Sequence, residues 1–164
     1  MQVAHSYSGQ GFSLRGDKGR FVLPPQFRKT IRESSGAKTL CLIKHERWNC
    51  LTGFGLSRVN DFEAQLDKEL EIALRTGKEF DRDLRSMQLY GFVEVPFDDS
   101  GRFVMPDHLA GLAGIADQLY IQGGGAFFTL WDPQALEAMG AGWEQQVASC
   151  RTLAKDTLAK GRKA

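Results

Sequence analysis

Cysteine, histidine and long hydrophobic runs are all scarce in this 164-residue chain, which has three cysteines and three histidines. Cys41, Cys50 and Cys150 form an odd set with no C-x-x-C spacing. A disulfide framework is therefore not expected, and a reduced cytoplasmic setting is the simplest reading. Cys41, His45 and Cys50 lie close together, but their spacing fits no common zinc site and no fourth ligand is evident, so no metal is expected. No apolar stretch approaches the roughly 20 residues that cross a bilayer. Met1 to Ser6 lacks the basic-then-apolar order of a secretory signal, so no membrane partner is expected. Net charge is nearly absent too, at +1, and bulk electrostatics point to no partner. No Walker A sequence, no G-x-S-x-G and no complete G-x-G-x-x-G at a strand end occurs. Asp98 and Asp99 are adjacent carboxylates, but they sit in a turn signal rather than a pocket. No catalytic residue, cofactor or small-molecule substrate is expected.

What the chain does have is a phrase written twice. Arg20-Phe21-Val22-Leu23-Pro24 returns as Arg102-Phe103-Val104-Met105-Pro106, 82 residues later. Asp17-Lys18-Gly19 precedes the first copy and Asp99-Ser100-Gly101 the second. A short duplicated unit of this kind usually builds one shared core. The copies differ in charge. From Arg15 to Arg32 there are six basic residues (Arg15, Lys18, Arg20, Arg28, Lys29, Arg32) against Asp17 alone. From Asp98 to Asp117 there are four acids (Asp98, Asp99, Asp107, Asp117) against Arg102, with one histidine, His108. Two copies folded alike would present one cationic and one anionic surface.

Each half reads as strand, turn, strand, helix, strand, turn, strand. In the first, Tyr7 to Leu14 and Phe21 to Leu23 are strands around the Gly16–Gly19 turn, predicted to pair as a hairpin. Pro24-Pro25 opens a helix carrying Phe27 and Ile31, which stops at Gly36. Thr39 to Ile43 and Trp48 to Thr52 complete the half. The second half repeats the order from Phe92 to Trp131, with Gly123 to Gly125 as its last turn. Between the halves, Val59, Phe62, Leu66, Leu70 and Ala73 make one apolar helical stripe with Ser57 as N-cap. Phe80, Leu84 and Met87 mark the apolar side of a second helix. A final helix carries Leu136, Met139, Trp143 and Val147, and the last residues of the basic tail are expected to be disordered. The fold class is α+β. Residues 7–55 are expected to form the first repeat, 56–89 a helical connector, 90–133 the second repeat, and 134–164 a C-terminal helix and basic tail.

The two acidic-glycine turns, each followed by an apolar strand, a proline and a short helix, resemble the MraZ family of swapped-hairpin DNA-binding barrels related to AbrB. The mark of that family is D-x-K-G-R. Lys18-Gly19-Arg20 and Phe21 to Pro24 match it in the first copy, and Asp98 to Pro106 in the second. Gly16 stands where the family usually has Asp. The resemblance implies a duplicated AbrB/SpoVT-like swapped-hairpin barrel and a cytoplasmic, nucleoid-associated transcriptional regulator. That regulator would be a repressor of a cell-division and cell-wall gene cluster. It would bind short G-rich direct repeats in double-stranded DNA as a ring-shaped homo-oligomer. Arg20 and Lys18 would be the principal contacts, supported by Arg15, Arg28 and Lys29. Asp17, Gly19, Asp98, Gly101 and Arg102 would form the structural turn motif.

The chemistry of those residues suits the implication. Arginine can bind O6 and N7 of guanine with two parallel hydrogen bonds, and lysines hold phosphates. Basic turns are nevertheless most often just solvated. Arg20 could instead be structural, paired with Asp17 or with an acid of the other half. Arg102, lacking basic company, reads as a tie within the fold or at a subunit contact. A rival reading is the DNA-anchored antitoxin half of a toxin pair, with the segment from Arg151 onward as the partner-binding extension.

Overall fold

A computed structural model describes Ser6 to Lys163. Its strands are β1 (Gln10–Leu14), β2 (Arg20–Val22), β3 (Thr39–Lys44), β4 (Leu51–Gly55), β5 (Val93–Pro96), β6 (Arg102–Val104), β7 (Gln118–Gly123) and β8 (Phe128–Trp131). Its α-helices are α1 (Pro25–Ser35), α2 (Phe62–Thr76), α3 (Arg82–Tyr90), α4 (Asp107–Ala113), α5 (Pro133–Glu137) and α6 (Glu144–Lys163). Short 3-10 segments cover Asp17–Gly19 and Leu56–Asp61. The class is α+β, with antiparallel sheet.

The strands are exchanged between the halves. One six-stranded sheet runs β1-β7-β8-β4-β3-β5, open at β1 and β5, and β2 pairs with β6 as a separate ribbon. Phe12 of β1 lies opposite Tyr120 of β7, and Leu40 of β3 opposite Val95 of β5. The remaining cross-half pairs join equivalents: β2 with β6 through Phe21 opposite Phe103, and β4 with β8 through Thr52 opposite Thr129. This register is what a twofold relation between the copies requires. It also corrects the expected β1–β2 hairpin. The Gly16 amide donates to the Arg20 carbonyl at 2.8 Å, which closes the turn, but both strands then pair with the other half. The physical reason is burial. A lone two-stranded hairpin is marginal in water, whereas the exchanged pairing seals Phe21 and Phe103 in the interior with ring centroids 6.3 Å apart.

One core results. Phe21, Leu23, Phe27 and Ile31 from the first copy pack with Phe103, Met105, Leu109 and Ile121 from the second. A second cluster sits under α2 and α3, built on Cys41, Phe54, Phe62, Leu66 and Leu89. A third joins Tyr120 and Trp131 to Leu136 and Cys150 beneath α5 and α6.

Several local expectations shift. Trp48 lies in a turn and β4 begins at Leu51, because the Trp48 ring stacks on His45 at 4.4 Å and meets Trp143 edge-on at 4.8 Å. Ser57 sits inside the 3-10 segment and caps nothing; α2 starts after Asp61. Phe80, which precedes α3, and Leu89 on it turn inward, while Leu84 and Met87 of α3 are exposed. The last helix is two, α5 and α6, because Gly140 and Gly142 adopt φ of +76° and +95°, which no helix continues. The basic tail from Lys155 continues α6 as far as Lys163, and Ala164, part of the end expected to be disordered, lies outside the described residues.

Candidate nucleic-acid interface

Alternation along β2 and β6 fixes what this ribbon shows. Phe21 and Phe103 point inward, so their neighbours must point out. Val22 is 39% exposed and Val104 56% exposed, and the Arg20 and Arg102 side chains are 25% and 48% exposed. Arg20 lies opposite Val104 and Val22 opposite Arg102, so the two arginines sit diagonally across a four-residue outer face. The Ser13 hydroxyl accepts the Val22 amide at 2.8 Å, tying the ribbon to β1.

The two turns share a backbone frame. Gly19 N–H donates to the Gly16 carbonyl at 3.1 Å, and Gly101 N–H to that of Asp98 at 2.9 Å. They differ at the position aligned with the usual family aspartate. In the second turn, Asp98 Oδ1 accepts the amides of Ser100 at 3.0 Å and Arg102 at 2.9 Å, while Oδ2 accepts Arg102 Nε at 2.9 Å. The hydrogen bond from the Arg102 amide is the leading reason its carboxyl lies below the usual range. Gly16 offers no carboxylate, and the centre of the first turn takes another conformation: Lys18 adopts φ +60°. Gly101 could not be replaced without strain, since φ is +84° and a Cβ would press on the Leu23 carbonyl and Arg28.

The expected contact residues fall into two groups. Lys18 is exposed at the turn tip, with no side-chain partner among the described residues. Lys29 is exposed on α1, 3.9 Å from Glu33. Arg32 is exposed on the same helix. Arg20 lies between these and the interior: its Nε donates to the Asp17 carbonyl at 3.3 Å and its Nη1 stands 4.0 Å from Asp98 Oδ2. Arg15 and Arg28 are occupied. The Arg15 guanidinium donates to the Ala116 carbonyl at 2.7 and 3.0 Å and lies 4.9 Å from the centre of the Phe21 ring. Arg28 Nη1 donates to the carbonyls of Leu23 at 2.9 Å and Ser100 at 2.7 Å, clamping the second turn to the end of β2.

The picture of separate cationic and anionic surfaces does not hold. The exchange of strands brings the acidic turn against cations of the first copy. Lys38 Nζ donates to Asp99 Oδ1 at 2.7 Å, and that bond is the main cause of a lowered Asp99 pKa. Lys38 carried no signal in the sequence, because its partner is 61 residues away. The outward valines were legible only in the alternation of the repeated phrase. Cys41 and Cys50 are buried in different clusters, and burial pushes both thiols up to about 12. His45 Nδ1 accepts the amides of Arg47 and Trp48 at 3.1 Å each. These three side chains are spoken for by packing and turn bonds.

No family model matches the chain. A transcriptional regulator MraZ of Rhodospirillum rubrum is 31% identical over 125 residues, 74% of this chain and 76% of its own length. The chain belongs to the MraZ family. The MraZ of Parvibaculum lavamentivorans is 28% identical over 158 residues, covering 96% of this chain and 95% of its own length. That of Roseiflexus sp. is 28% identical over 142 residues, covering 82% and 92%. The MraZ likeness thus runs through both halves and the helices between them. Among the described residues no helix is long and apolar enough to cross a membrane.

Proposed function

We propose that this MraZ-family chain is a sequence-specific DNA-binding transcriptional regulator. It acts in the cytoplasm, on the nucleoid, as a repressor of a cell-division and cell-wall gene cluster. It reads short G-rich direct repeats as a ring-shaped homo-oligomer. The observation that carries the reading is the outer face of the β2–β6 ribbon: Arg20 and Arg102 set diagonally between two exposed valines, with Lys18 projecting from the adjoining turn. A two-stranded ribbon fits the major groove, where an arginine can hold guanine O6 and N7. The exchange of β1, β3, β5 and β7 between the copies supports the AbrB/SpoVT-like swapped-hairpin assignment. It also supports residues 7–55 and 90–133 as two repeats joined by a helical connector.

In this reading Arg20 reads a base, while Lys18, Lys29 and Arg32 hold phosphates and fix register. Arg15 and Arg28 support from behind, because their donors are already directed to the Ala116, Leu23 and Ser100 carbonyls. One protomer offers few contacts. Several in a ring, facing spaced repeats, gain avidity of roughly 10²–10⁴ from effective concentration. The antitoxin alternative has less to rest on: Leu153 packs against the third cluster and Arg151 is bonded to Glu137 of α5 at 2.8 Å, so the start of that segment is held by its own chain. Selection from random duplexes with the purified protein tests the function. Enrichment of a G-rich repeat is expected, and recovery of no motif would refute sequence-specific regulation.

A further inference from the structure

A cleft of about 600 Å³ opens between the end of β3, the Leu56–Asp61 segment and α3, well inside the usual range for small-molecule sites. No residue of the ribbon lines it. Four cations do: Lys44, Arg47, Arg58 and Arg85, with Glu46 the lining acid. Arg85 is neutralised, donating to Glu69 at 2.7 Å and to Glu46 at 2.6 Å. The other three have no carboxylate within 4.0 Å among the described residues. Lys44 Nζ donates only to carbonyls, those of His45 at 2.9 Å and Trp48 at 2.6 Å. Arg47 lies 5.2 Å from the centre of the Trp48 ring.

Arg58 is the least satisfied. Its guanidinium sits 5.8 Å from the ring centres of Phe54 and Phe127 and 6.0 Å from that of Phe62. Its one hydrogen bond is a long one, 3.4 Å, to the Ala126 carbonyl. Burial is the main influence on this group and lowers its pKa, with Asp61 opposing. A guanidinium carries five N–H donors. None of its unmatched nitrogens is sealed from solvent, so they are hydrated and open to an arriving anion, with which they can form charge-assisted hydrogen bonds.

We propose that this cleft binds a phosphorylated small molecule of nucleotide size, with its phosphates held by Arg58, Lys44 and Arg47. The volume exceeds what a lone phosphate fills, and the half-buried Ile43 and Phe127 offer apolar surface for the remainder. The site is separate from the ribbon and does not depend on the DNA-binding reading.

Melting of the full chain with ADP or with adenosine tests this. ADP at roughly 100 times its Kd should raise Tm by about 5–10 °C, and adenosine should not. Arg58→Gln should weaken ADP binding at least tenfold by calorimetry, Arg47→Gln should weaken it less, and Lys18→Ala should leave it unchanged. Equal stabilisation by adenosine would remove phosphate recognition. Loss of binding in Lys18→Ala but not Arg58→Gln would move the anion to the basic turn. Absence of ADP binding together with a changed assembly mass in Arg58→Gln would make the cleft a contact between copies. Each of these results overturns the proposal.

Discussion

Lys18 is the non-glycine residue with positive φ among those described, at +60°. The left-handed region costs an L-residue roughly 1–2 kcal/mol. In the second turn the Asp98 carboxylate organises the backbone instead, and no such residue is needed there. Lys18→Gly removes the strain but adds unfolded-state freedom worth about 0.5–1 kcal/mol. Urea unfolding should therefore show a variant between unchanged and about 1.5 kcal/mol more stable, with weaker DNA binding; clear destabilisation would mean that the lysine side chain supports the fold. His45 offers a pH test. Burial leads in lowering its pKa below the ordinary 6.5, helped by Arg47, and its Nδ1 must stay unprotonated to accept two amides. The folded pKa is depressed, so the stabilisation is complete above about pH 6.5 and lost as pH falls through the folded value. His45→Asn keeps an acceptor without the titration and should flatten that part of the stability profile; an unchanged slope would assign it to other groups.

Among elements, the ribbon decides the surface. Arg20 sits 4.0 Å from the carboxylate of Asp98, an acid contributed by the other copy. A negative charge there opposes an approaching phosphate. At about 6 Å in water this repulsion amounts to roughly threefold in affinity at low salt. Asp98→Asn should therefore bind the selected duplex about threefold more tightly at low salt; weaker binding would mean that the order Asp98 gives to Arg102 outweighs its charge. The elements themselves were largely legible. α1 follows from Pro25, Phe27, Ile31 and Gly36, and β3 from an unbroken apolar run. The repeated phrase located both edges of the ribbon. Strand partners were not legible, because alternation says which face of Phe21 is buried but not against what. Leu84 and Met87 misled for a related reason: three-residue spacing marks a helix face without saying whether anything covers it. The place of Trp48 depends on aromatic contacts with Trp143 and Trp131, which are far from it in sequence.

At the scale of the molecule, duplication already implied a shared core, and the exchanged strands give that implication a mechanical form. Neither half owns a complete sheet: β1 needs β7, and β5 needs β3. Fragments 6–91 and 92–163 should each lack cooperative unfolding by circular dichroism and regain it when mixed; a first half that melts cooperatively alone would contradict the interlocked core. The candidate site was legible at Lys18 and Arg20, where the basic turn announced itself. It was not legible at Arg15 and Arg28, whose guanidiniums meet carbonyls 101 and 72 residues away. Charge in sequence does not distinguish a cation held for a ligand from one used as a clamp; only the fold does so. The most direct measurement is the affinity of Arg20→Ala for the duplex that selection returns, with assembly mass recorded alongside. A loss of at least about tenfold at unchanged mass is expected if Arg20 reads a base. Undiminished specific binding by that variant would contradict the ribbon as the reading surface.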